Sequence, residues 1–117
     1  MDQIEFIEAI KIVVKETAIN DIKSMLTNPP EKKTGREKIE LSKWYNNLNE
    51  NDKSFIHTII RESVESSVFG FLCVLDGVRA IEGREKGELK LYYEKNTLSI
   101  LLNDFNSEYL HDLFNAV

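Results

Sequence analysis

Asp76, Arg79 and Glu82 are the ionisable residues whose grouping most nearly suggests a site in this chain. They follow directly on its longest apolar run, Val68 to Leu75. Two carboxylates and a guanidinium at a junction between elements can line a pocket that holds a small ligand or moves a proton. The commoner use of such residues is to satisfy unpaired backbone groups at a helix end.

Other reactive side chains suggest less chemistry. His57 and His111 are the only histidines, and neither has partners at the spacing a metal site needs. Both read as structural. Glu62 and Glu65 stand at i, i+3, without the histidine or the second copy that a di-metal bundle requires. Arg61 and Glu65 at i, i+4 read as a surface ion pair. Cys73, the single cysteine, lies within the apolar run. No cation or helix start adjoins it to activate the thiol, so it reads as buried and inert. Phosphate-binding glycine loops, dinucleotide fingerprints and nucleophile elbows are all missing from the sequence. Gly83 and Gly87 bracket Arg84-Glu85-Lys86 as a flexible loop. The chain therefore reads as a non-enzyme that needs no cofactor and no metal.

The elements that must position these residues follow from periodicity. Ile7, Ile10, Val14, Ala18, Ile22 and Met25 recur at helical spacing and predict a first helix from about Asp2 to Thr27, stopped by Asn28-Pro29-Pro30. Its weakest point is expected at Ile19-Asn20. Thr34 and Glu37 have capping-box spacing. They open a second helix from Arg36 to Leu48, with Leu41, Trp44, Tyr45 and Leu48 as its apolar stripe. Asn51 or Asp52 is the expected cap of a third helix. Phe55, Ile56, Ile59, Ile60 and Val64 make its first half amphipathic, while Val68 to Leu75 is apolar all round, the mark of a buried central helix. Gly70 within it implies close approach by another helix. The helix ends at Gly77 or runs on to Gly83, and the sequence leaves both open.

Glu88 to Glu94 and Thr97 to Leu102 both alternate, predicting a hairpin. With Lys95-Asn96 as the turn, Tyr93 faces Leu98, Leu91 faces Ile100 and Leu89 faces Leu102 on one apolar side. Tyr92 and Leu101 then share the other side with Lys90 and Ser99. That side either lies under the C-terminal helix or forms an exposed binding surface. The last helix follows a cap at Asn106 or Ser107 and buries Leu110, Leu113, Phe114 and Val117. The fold class is α+β in one domain over 1–117, with about four helices, a buried central one and a C-terminal antiparallel hairpin.

Bulk properties narrow the partners. A net charge of -5 argues against nucleic acid as the main partner, because phosphate binding wants a dense basic face. The locally basic stretch from Glu31 to Lys38 holds four basic and two acidic residues, too few net charges for phosphate affinity. The charge suits a cationic protein partner, although solubility alone explains acidity in many proteins. The longest apolar run is too short to span a bilayer. One cysteine permits no internal disulfide, and Met1 to Glu5 lacks a basic region leading into an apolar run. A cytoplasmic protein with no membrane contact is expected.

The run from Glu65 to Arg79, with Tyr109-Leu110-His111-Asp112-Leu113-Phe114, resembles small bacterial proteins of unknown function, some of them similar to toxin-immunity proteins. This resemblance spans about Trp44 to Ala116 and transfers no site residues. It implies a non-catalytic protein-binding module that neutralises a cationic toxin. The rival is an enzyme or small-ligand protein with a pocket near Asp76, Arg79 and Glu82. A homodimer through Tyr92 and Leu101 is the third reading.

Overall fold

Asp2 starts the first helix by accepting the Glu5 amide at 2.8 Å, which satisfies one of the unpaired donors of the first turn. The structure, a computed structural model, describes residues 1–30, 35–83 and 87–117. Helix α1 spans Gln3–Ile10, a π-helical segment spans Lys11–Glu16, and α2 spans Thr17–Thr27. The chain leaves the helix at Asn28, ahead of Pro29 and Pro30, as their chemistry demands. Ile19-Asn20 is regular α-helix, so the irregularity lies upstream of the expected position. Three β-branched residues, Ile12-Val13-Val14, fall in the π segment, and such residues lose side-chain freedom in a regular helix. A π turn holds an extra residue. A stripe extrapolated from α1 is thereby displaced by one position. Ile19 and Leu26 are buried in α2, while Ile22 is exposed.

The described residues divide into two compact units, Lys15–Glu65 and Met1–Val14 with Ser66–Val117. In the 15–65 unit, Ile19, Leu26, Tyr45 and Ile60 form the core, flanked by Leu48, Ile56 and Val64. Helix α3 covers Arg36–Asn46. Gly35 occupies its N-cap position, and the expected cap Thr34 lies outside the described residues, as does the first half of the basic stretch. Only half of the predicted stripe of α3 points inward. Tyr45 is buried, but Leu41 and Trp44 are exposed and Ser42 is buried instead. The cause is a hydrogen-bonding requirement. The last carbonyls of α2 need donors. Ser42 Oγ donates to Leu26 O at 2.6 Å and Asn46 Nδ2 to Thr27 O at 3.1 Å.

Helix α4 runs Glu50–Leu75. Its cap is Asn49, whose Oδ1 accepts the Asp52 amide at 2.8 Å, so Asn51 and Asp52 lie inside the first turn. Arg61 grips Glu16 with two bonds of 2.8 and 3.1 Å and reaches the expected partner Glu65 only at 3.5 Å.

In the other unit, Ile7, Leu72, Leu110, Leu113 and Phe114 form the core, with Phe6, Val68, Phe69 and Leu75 against it. The apolar end of α4 is covered on most sides, but Phe71 is 63% exposed. Gly77 ends α4 at a φ of +76°, a conformation that suits glycine. The Gly77 amide bonds Val74 O at 3.1 Å and the Val78 amide bonds Cys73 O at 3.1 Å, which closes the helix there and removes Gly83 as its end. Gly70 meets a side chain, not a helix. A Cβ at Gly70 would overlap the Arg79 guanidinium.

Strands β1, Tyr92–Lys95, and β2, Leu98–Leu101, form the antiparallel hairpin. Its register is Tyr92 with Leu101, Tyr93 with Ile100 and Lys95 with Leu98, two residues away from the expected pairing. The turn is Asn96-Thr97, because Asn96 takes a φ of +55°, which asparagine tolerates better than lysine. A shift of two keeps every side chain on its predicted face. Leu91, Tyr93, Ile100 and Leu102 remain on the inner side, whereas Leu89 and Leu98 are exposed. Helix α5 covers Leu110–Ala116, so Asn106 and Ser107 are not its cap, and Val117 is exposed.

Asn103, 3% exposed, fastens the hairpin to the end of α4. Its amide donates to Leu75 O at 2.6 Å and Leu89 O at 2.7 Å, and its oxygen accepts from Leu91 N at 2.8 Å. Asn103→Leu strands those three groups, at about 1–3 kcal/mol for each one left dry. We expect the urea midpoint to fall by at least ~2 kcal/mol equivalent, and an unchanged midpoint would contradict this role. The Arg61 guanidinium, through its hydrogen bonds, holds the Glu16 carboxyl below the usual glutamate range. A lowered acid stabilises the fold above its unfolded value and loses that contribution as pH falls through the folded one. Wild type should therefore lose more stability than Glu16→Gln as pH drops from neutral through the glutamate range. Parallel pH profiles in urea melts would refute the coupling.

Candidate functional site

The connection from α4 to β1 is long and irregular: the described residues 76–83 and 87–91 form neither helix nor strand. Long connections without regular structure are uncommon in compact proteins and are often functional. Along this one lies a cleft of about 340 Å³, floored by Val74 and Leu75 at the end of α4. Val78, Ile81, Leu89, Phe105 and Tyr109 supply its apolar walls. Phe105 lies against Gly77, where an added Cβ would sit 3.5 Å from the ring. All five wall residues are exposed, Ile81 to 67%. The cleft is thus an open apolar groove rather than a sealed cavity.

Asp76, Arg79 and Glu82 all line this groove, but they do different things. Asp76 is only 3% exposed. Its Oδ1 accepts the Leu110 amide at 3.0 Å and its Oδ2 accepts the His111 amide at 2.8 Å. His111 Nδ1 approaches Oδ2 at 2.6 Å. Asp76 therefore caps α5 from a distance, replacing the local cap that Tyr109 does not provide. This is the helix-end use that such residues commonly serve. Glu82 Oε2 accepts the Gly87 amide at 3.0 Å; the expected flexible loop at residues 84–86 lies outside the described residues. Arg79 folds back over Gly70.

His111 is packed edge-on to Phe69 and stacked on Tyr109, with ring centroids 5.6 and 5.4 Å apart. Its Nε2 lies 3.3 Å from Asp112 Oδ1. Both ring nitrogens thus face carboxylates, and the Asp76 oxygens are all engaged. The cluster ties the start of α5 to the end of α4. His57 is likewise engaged, 2.5 Å from the buried Tyr45 hydroxyl. Among the described residues, no group of three or more His, Cys, Asp or Glu side chains could hold a metal ion.

Tyr92 and Leu101 pair directly across the hairpin. Tyr92 is 51% exposed and Leu101 half-buried, so Tyr92 is not covered by α5. The structure does not bring this pair into the groove. Sequence reasoning missed the groove's apolar walls. A signal was present in Val78 and Ile81, two large aliphatic residues between Gly77 and Gly83, which a helix ending at Gly77 leaves outside it.

Removing the Asp76 cap has a graded expected cost. Asp76→Asn keeps one acceptor oxygen and should cost about 1–2 kcal/mol, whereas Asp76→Ala frees both amides and should cost more. Amide exchange in α5 should quicken in the same order, and slow exchange in Asp76→Ala would show that the cap is dispensable.

No family model, no curated protein and no solved structure matches the chain.

Proposed function

We propose that this protein is a non-catalytic protein-binding module and that its docking site is the groove at the C-terminal end of α4. The observation that supports the reading is the exposure of the apolar walls. Val78, Ile81, Leu89 and Phe105 present contiguous lining to solvent although the same unit has a well-filled core beside them. Exposed apolar clusters rimmed by polar residues favour interaction surfaces. The engaged oxygens of Asp76 speak against acid–base work in the same place.

A net charge of -5 suits a cationic partner. Neutralising a cationic toxin, the role implied by the resemblance of residues 65–79 and 109–114 to immunity-type proteins, is one form of this reading. A single buried, free cysteine fits a reducing cytoplasm. No helix among the described residues is long and apolar enough to cross a membrane. A small apolar ligand is the second reading, favoured by a cleft volume at the lower end of small-molecule sites. A homodimer through the Tyr92 face is the third, favoured by the exposure of that ring.

Ile81→Asp tests the docking site, with Trp44→Asp as a surface control outside the groove. A partner held stoichiometrically by wild type and by the control should be lost with Ile81→Asp, because a buried unpaired carboxylate is costly. Capture unaffected by Ile81→Asp would remove the groove from the interface.

A further inference from the structure

The excess of acidic over basic residues falls in one unit of this chain. Met1–Val14 with Ser66–Val117 holds six basic and eleven acidic residues, whereas Lys15–Glu65 holds nine of each. The whole net charge of -5 therefore belongs to the unit that carries the groove. Within the groove's lining, Glu82 and Glu88 are exposed carboxylates. Glu82 Oε2 accepts the Gly87 amide, its one hydrogen bond among the described residues. Arg79 is the one cation among the described lining residues, and its guanidinium is drawn back over Gly70.

We propose that the groove receives a basic, amphipathic segment of a partner protein, one large apolar side chain entering between Ile81 and Phe105 with lysine or arginine neighbours set against Glu82 and Glu88. This rests on the docking site proposed above and adds the chemistry of its occupant. The apolar walls supply contact area for the anchor. The two carboxylates and the field of an acidic unit select the sign of the flanking charges, raise the association rate and disfavour acidic segments. The groove's size suits one or two side chains rather than a whole helix face.

Three short blocked peptides test this, each with a central tryptophan, flanked by lysines, serines or glutamates. Titration into isotope-labelled full-length protein reads both affinity and location. We expect shifts at residues 78–82 and 105–109, and an affinity about threefold to tenfold tighter for the lysine peptide than for the glutamate peptide, the scale of two exposed ion pairs. That preference should shrink at high salt and vanish in the Glu82→Gln, Glu88→Gln double variant, which keeps an acceptor for the Gly87 amide. Equal affinities at the groove for all three peptides would overturn the charge selection and leave the docking site standing. Shifts elsewhere, or none with any peptide, would overturn both.

Discussion

Two buried polar side chains at the end of α4 organise everything that follows it. Asp76 takes the first two amides of α5, and Asn103 takes the Leu75 carbonyl at the end of α4 together with Leu89 O and Leu91 N on the approach to β1. A helix cannot end inside a protein without partners for its terminal groups. Here the partners come from residues far along the chain, so the end of one helix fixes the start of another and the base of the hairpin. The apolar core of Leu72, Leu110, Leu113 and Phe114 supplies most of the free energy of that unit, because burial scales with apolar area. The two polar residues decide which arrangement the core adopts. A partly satisfied alternative would strand several backbone groups at once.

The same priority of hydrogen bonds over apolar pattern governs α3. Its periodicity favours burying Leu41 and Trp44, yet the carbonyls ending α2 take Ser42 and Asn46 as donors and rotate that stripe to solvent. An exposed leucine costs little, since much of any protein surface is apolar. An unpaired buried carbonyl costs more. In α2 the displacement has another origin. The π segment inserts a residue, and the inward positions move by one.

The groove is a by-product of how α4 stops. Gly77 turns the chain at positive φ, and Val78 and Ile81 then run past the helix end without a surface to cover them. Phe105 and Tyr109 close the opposite wall because Asp76 holds the start of α5 beside that turn. The aspartate that lines the groove is thus also the structural device that shapes it. Its position in a cleft and its burial are both real, but its oxygens are already engaged.

The sequence by itself determined the order of the helices and the hairpin near the end of the chain. Prolines 29 and 30 stop the helical run that begins the chain through their missing donor, and alternation places Tyr93 and Ile100 on one face of the hairpin in both the expected register and the observed one, which differ by two residues. These are local effects, legible because they depend on near neighbours. Even the choice between Gly77 and Gly83 was visible as a choice. Only the tertiary structure decided between them, paired Asp76 with His111 across 35 residues, and turned Trp44 outward. Those outcomes depend on which distant backbone groups need partners, and no spacing along the chain encodes that demand.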